Sequence, residues 1–223
     1  MRDFYHVDGP VDSRGPVTLS KAQFAVLLAT AIGDPFTLDR ASLRELKLSR
    51  QEIAEARREL TEAGLYDERE AAVAPSLAAQ LVGILTPGWK MIVQRQAPEP
   101  AWIQFALHFG NERTVGEGLH VDGHRQLATF TDSSEALDWL LGDTTSADGE
   151  GRDDESQPLE ALLPRAEMVN TLLLVNSETD DAQEALLWLS ADGALWLVDA
   201  QSNERARTIS RAALARRLSE MVR

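Results

Sequence analysis

Leu186-Leu187-Trp188-Leu189-Ser190-Ala191-Asp192-Gly193-Ala194-Leu195-Trp196-Leu197-Val198 is the stretch that decides the fold. An Asp-Gly pair between two apolar runs signals a two-residue hairpin, because both residues tolerate the positive φ such turns require. That turn sets Leu189 opposite Trp196 and Leu187 opposite Val198 on one face. The opposite face then carries Leu186, Trp188, Leu195 and Leu197. Both faces are apolar, so one must meet the core and the other must meet helices of this chain or another protein.

Outward from the hairpin, residues 158–222 form a longer unit. Pro158-Leu159-Glu160-Ala161-Leu162-Leu163 leads to strand-like Thr171-Leu172-Leu173-Leu174-Val175, and Thr208-Ile209-Ser210 follows the hairpin. The helix Ala212-Ala213-Leu214-Ala215-Arg216-Arg217-Leu218 closes it. Residues 76–141 repeat this order, from Ser76-Leu77-Ala78-Ala79-Gln80-Leu81 through Trp89-Lys90-Met91-Ile92-Val93 to the helix Glu135-Ala136-Leu137-Asp138-Trp139-Leu140. Inside this copy Ile103, Phe105, Leu107 and Phe109 alternate with Trp102, Gln104, Ala106 and His108, a half-buried strand with His108 on its polar side and expected at the surface. Gly110-Asn111 and Asp122-Gly123 mark its turns. Two copies of helix, meander and helix, offset by about 80 residues, predict an α+β fold with a pseudo-duplicated antiparallel sheet and helix body.

The remaining segments divide as follows. Residues 1–17 read as an N-terminal arm, with Phe4-Tyr5-His6-Val7 as an edge strand. Residues 18–87 are helical. Ser20-Lys21-Ala22-Gln23 and Ser49-Arg50-Gln51-Glu52 are capping boxes, in which serine and Gln/Glu side chains satisfy free backbone donors. The first opens a helix to about Ile32, stopped by Gly33-Asp34-Pro35. Leu38 to Leu46 is a short helix. The second box opens a helix with Ile53, Ala56, Leu60 and Ala63 on one face, ended by Gly64. Pro75 to Leu85 is a further helix, and Ala71 to Leu85 reads as helix rather than as a basic wing. The short helices have a winged-helix-like rhythm. Residues 88–142 hold the first meander and its helix. Residues 143–157 have a single apolar side chain, Ala147, and read as an acidic mobile loop. Residues 158–223 hold the second meander and the C-terminal helix, and the whole is expected to pack as one unit.

Composition narrows the function classes. With 43% hydrophobic and 26% charged residues the chain is of ordinary globular type. A formal charge of −14 disfavours non-specific binding to nucleic acid or acidic membranes. Cysteine is absent, which excludes disulfides and thiolate chemistry. The apolar run Phe24 to Ile32 is too short to cross a bilayer, and no secretory signal is expected, so a cytoplasmic location fits best. Lysine occurs only at positions 21, 47 and 90, an arginine bias typical of GC-rich genomes.

Few residues suggest chemistry. His120-Val121-Asp122-Gly123-His124 has metal-ligand types, but the plainer reading is a polar turn without a third ligand. Gly116 and Gly118 make no dinucleotide fingerprint, and neither a phosphate loop nor a nucleophile elbow occurs. No catalytic, metal or cofactor site is expected, and the chain reads as non-enzymatic. The Ser49-capped helix sets Arg50, Arg57 and Arg58 against Glu52, Glu55, Glu59 and Glu62, a poor balance for reading DNA. The C-terminal stretch carries Arg205, Arg207, Arg211, Arg216, Arg217 and Arg223. The favoured partner surface is therefore Leu186, Trp188, Leu195 and Leu197, with Arg211, Arg216 and Arg217 orienting an acidic partner. The competing reading is that the C-terminal helix covers this face with Leu214, Leu218 and Val222.

Leu60-x-x-Ala63-Gly64-Leu65, Val73-x-Pro75-x-Leu77-Ala78-x-x-Leu81 and Leu85-x-Pro87 leading into Met91-Ile92-Val93 resemble the EspG-type chaperones of type VII (ESX) secretion in actinobacteria. About thirty residues share the recognisable pattern, mostly alanine, leucine and proline, while the layout is similar over most of the chain. The resemblance implies a cytosolic, non-enzymatic chaperone that holds the helical-hairpin tip of proline-glutamate and proline-proline-glutamate substrates on its central sheet and C-terminal helices. It does not require the acidic insert at 143–157. The alternatives are a winged-helix DNA-binding transcriptional regulator and an accessory or immunity-like interaction protein.

Overall fold

Asp192 and Gly193 adopt φ of 53° and 73°, the paired positive values of a two-residue hairpin turn. Trp188 then stands opposite Leu197 and Leu189 opposite Trp196, the register expected from the Asp-Gly pair. The computed structural model describes residues 16–33, 46–110, 113–142, 156–177, 179, 181–198 and 204–222. The expected edge strand at Phe4–Val7, most of the short helix at Leu38–Leu46, and residues 143–155 of the acidic loop lie outside the described residues.

In chain order the elements are β1 (Val17–Leu19), α1 (Lys21–Ile32), α2 (Arg50–Glu62), β2 (Tyr66–Asp67), β3 (Ala72–Val73), α3 (Pro75–Leu85) and β4 (Trp89–Gln96). Then come β5 (Trp102–Phe109), β6 (Thr114–His120), β7 (Arg125–Phe130), α4 (Ser133–Leu141), β8 (Ser156–Pro158) and α5 (Leu159–Leu162), with a 3-10 turn at Leu163–Arg165. The chain closes with β9 (Ala166–Asn176), β10 (Ala182–Ala191), β11 (Ala194–Val198), β12 (Arg205–Thr208) and α6 (Arg211–Met221). Both capping boxes form as the sequence predicts, Ser20 with Gln23 and Ser49 with Glu52.

Among the described residues ten strands make one sheet in the order β1-β7-β6-β5-β4-β9-β10-β11-β12-β8. Its logic is the internal repeat. Each copy contributes a four-strand meander, β4 to β7 and β9 to β12, and the first strands of the two meanders pair antiparallel. Ile92 faces Leu173 and Val93 faces Leu172 at that seam. The fold is therefore α+β with a pseudo-duplicated sheet, and a pseudo-two-fold axis passes near those two pairs. Short strands β1 and β8 close the two ends, which shortens the unpaired edges. Ser156 and Gln157, expected in the mobile loop, belong to β8.

Among the described residues three apolar clusters hold the layers together. Helices α4 and α6, the closing helices of the two copies, pack on one face with Leu137, Leu140, Leu214 and Leu218 against Met91, Val93, Leu172, Leu186, Trp188, Leu195 and Leu197. The Arg211 guanidinium donates to the carbonyls of Gly142 and Asp138 at 3.0 and 3.4 Å, joining the start of α6 to the end of α4. A cation at a helix C-terminus satisfies free carbonyls and opposes the helix dipole. On the other face α1, α2 and α3 cover one end of the sheet through Leu27, Ile53, Leu60, Leu77, Leu81 and Leu127. Leu162 of α5 covers the other end with Leu189, Trp196 and Ala206.

The segment after α2 departs from expectation. Ala72 and Val73 form β3, which pairs with Tyr66 and Asp67. The Asp67 carboxylate accepts from the backbone of Arg69 and Glu70 and folds this tight turn. Local side-chain bonding of this kind competes with helix formation, so the helix starts only at Pro75.

Candidate functional site

The expected partner face is core. Leu186, Trp188, Leu195 and Leu197 are buried, with Trp188 fully enclosed. This corrects the sequence expectation, and the reason is the competing reading: α6 covers them with Leu214 and Leu218, with Val222 packed beside, and α4 adds a second helix from the other copy. The arginines do not converge on a partner surface either. Arg211 is engaged at the end of α4, Arg217 pairs with Glu184 at 2.5 Å, and Arg216 is exposed. No Trp188-centred site is open to a partner.

The accessible apolar surface lies on the opposite face, over the seam. Side chains alternate along a strand, so residues next to the buried Val93 and Leu172 point away from α4 and α6. Ile92 and Leu173 are cross-strand partners there and belong to none of the three core clusters. Leu173 is 37% exposed, and Ile92 is half-buried. Ala106 stands beside Ile92 and Ala185 beside Leu173, so small side chains flank the central pair. The next row is Gln94, Thr171 and Leu187, and Lys90 lies toward the other end. None of these side chains is acidic, in a chain of net charge −14. The bordering helices also show apolar groups to solvent, Val82 and Leu85 of α3 and Leu163 of the 3-10 turn. Periodicity revealed the apolar faces of these strands, but only the docking of the helices shows which face stays open.

A buried polar row sits where α3 crosses the sheet. His108 is 1% exposed rather than on the surface, because α3 lies across β5, β6 and β7, with Gly83 close over Val115 and Gln80 bonded to Thr129. Its Nε2 lies 3.2 Å from Glu117, whose other oxygen is held by Arg125. The Arg125 guanidinium stacks on the Phe24 ring at 4.5 Å and so links α1 to the sheet. Burial, reinforced by Lys90, lowers the His108 pKa to about 4 and keeps the imidazole neutral near pH 7. His108 and Glu117 are buried while Arg125 reaches the rim, and the arrangement serves to fix the leading helices.

At the β6–β7 turn His120, Asp122 and His124 do come together. Asp122 Oδ1 lies 2.8 Å from Nδ1 of each histidine. Bonds from the His124 backbone and ring hold the Asp122 carboxyl far below the usual range. Among the described residues no three His, Asp or Glu side chains are arranged to hold a metal ion. Gly116 and Gly118 serve packing: a Cβ at Gly116 would lie 2.8 Å from Phe130 and 2.9 Å from Trp139.

The exposed side of α2 carries Arg50 and Arg58 beside Glu52, Glu55, Glu59 and Glu62, and the β2–β3 turn adds Glu68, Arg69 and Glu70. Glu52 is spent on the helix cap, and Gln23 binds Glu59. No helix among the described residues is long and apolar enough to cross a membrane. The chain matches no known family model and no curated protein sequence.

Proposed function

We propose that this chain is a non-enzymatic, cytoplasmic chaperone for type VII secretion substrates, and that it receives the apolar tip of a helical hairpin on the open strip around Ile92 and Leu173. One observation carries the reading: an acid-free apolar strip lies at the centre of a duplicated sheet on a strongly acidic chain. Accessible apolar area of this kind marks protein contact. The absence of acidic side chains beside Ile92 and Leu173 suits an uncharged helical tip, and the exposed Ala185 leaves room beside Leu173 for its side chains. The resemblance in Leu60 to Val93 supplies the partner class, and the site moves from the Trp188 face to the opposite one.

The test is co-expression with helical-hairpin secretion substrates of the proline-glutamate and proline-proline-glutamate classes, followed by size-exclusion chromatography. A stoichiometric complex that Leu173→Glu abolishes, with thermal stability retained, supports the proposal. A complex indifferent to Leu173→Glu and Ile92→Glu removes the strip. No complex with any such substrate removes the chaperone reading.

A second reading, a DNA-binding regulator, draws on the β2–β3 hairpin that follows α2. Its exposed carboxylates oppose phosphate contact. Salt-dependent DNA retention lost in the Arg57→Glu, Arg58→Glu double variant would favour it.

A further inference from the structure

Lys90, Ile92 and Gln94 follow one another on the open face of β4, because alternate residues of a strand share a face. Thr171 and Leu173 share that face on β9, with Thr171 opposite Gln94 and Leu173 opposite Ile92. Along the strands the strip therefore passes from a cation, through the apolar pair, to an amide beside a hydroxyl. Gln94 is exposed, and Lys90 and Thr171 are half-buried. Among the described residues none of these three side chains has a hydrogen bond or a carboxylate partner.

The two ends of the strip offer opposite chemistry. The Lys90 ammonium donates and cannot accept, whereas the Gln94 amide and the Thr171 hydroxyl supply accepting oxygens. A helical hairpin has the complementary asymmetry at its tip. Its first helix ends in free backbone carbonyls, and its second begins with free backbone N–H groups. The helix dipoles add partial negative charge to the first end and partial positive charge to the second. Even a tip without charged side chains is therefore polar in a fixed direction.

We propose that the strip reads this polarity: Lys90 receives the C-terminal carbonyls of the hairpin's first helix, and Gln94 and Thr171 receive the N-terminal N–H groups of its second. The apolar pair Ile92 and Leu173 then lies under the turn between the helices. Dimensions agree. From Lys90 to Gln94 the strand rises about 13 Å. Packed helices lie about 8–10 Å apart, and the long lysine chain covers the difference. This inference rests on the chaperone reading and adds the orientation in which the tip is held.

The probe is a helical-hairpin substrate of the proline-proline-glutamate class, bound to the full chain. By calorimetry, Lys90→Met should weaken capture by about tenfold, whereas Lys90→Arg should change it by no more than about twofold. The chain has no cysteine, so a Gln94→Cys variant carries a single thiol with Lys90 intact. On mild oxidation it should form a disulfide with a cysteine placed in the first turn of the substrate's second helix. A cysteine in the last turn of the first helix should not react. The reverse pattern, or equal yields at the two places, would overturn the inference and leave the chaperone reading standing. So would a Lys90→Met variant that binds as tightly as the native chain. A native chain that binds no such substrate would remove the chaperone reading, and the inference with it.

Discussion

Val93 and Ile92 are neighbours in sequence with nearly the same chemistry, and so are Leu172 and Leu173. Val93 and Leu172 are wholly buried, whereas Leu173 is 37% exposed and Ile92 is half-buried. Both pairs are cross-strand partners at the same seam. The difference arises outside the strands. The closing helices of the two copies meet on the Val93 face, while the helices of the other face stop at its two ends. At the seam each face carries an apolar pair, and helix placement makes one of them core and the other a surface.

The comparison can be broken most strongly from the covered side. Trp188→Asp places an unpaired carboxylate under α4 and α6, and should cost about 5 kcal/mol or more, enough to unfold the chain in a urea melt. A folded variant with native near-UV dichroism would show that this face opens. Acid should act next. Because the folded pKa of His108 is lowered to about 4 from 6.5, the unfolded chain binds the proton first as pH falls. The stability that this buried neutral histidine confers is complete above pH 6.5 and is lost between there and pH 4, by about 3 kcal/mol. Urea midpoints across that range test it, and His108→Gln should flatten the slope.

A smaller effect sharpens the packing on the covered face. Gly116→Ala forces a methyl against Phe130 and Trp139 and should destabilise by about 1–3 kcal/mol. An unchanged melting temperature would show that Trp139 yields easily. The smallest effect on stability belongs to the open face. Leu173→Glu should change the stability read from a urea melt by less than about 1 kcal/mol while abolishing capture of the proposed substrate. A large loss of stability there would mean that the strip is covered in solution.

Legibility followed the range of the interaction. Capping boxes, the Asp192-Gly193 turn and the Pro75 helix start depend on neighbours within four residues, and the structure has each where the sequence put it. The β2–β3 hairpin was missed because strands of two residues have no periodicity, although Asp67 ahead of Arg69 and Glu70 was a readable turn signal. His108 was misplaced for another reason. Its strand alternates cleanly, but alternation assigns a residue to a face and says nothing about what lies over that face. The candidate site failed in the same way: Leu186, Trp188, Leu195 and Leu197 share a face as predicted, and that face is the covered one. The His120–Asp122–His124 residues were visible as a set, whereas their shared hydrogen bonds required coordinates.

The sequence by itself determined the duplicated α+β plan, the register of the Asp192-Gly193 hairpin and the capped helix starts, because turn geometry and side-chain period are local properties. Tertiary structure alone decided that the two meanders join through β4 and β9, and that α4 and α6 close together over one face. It thereby placed the open apolar strip on the other. Those outcomes depend on which surfaces bury more area when distant segments meet, a comparison that no local pattern encodes.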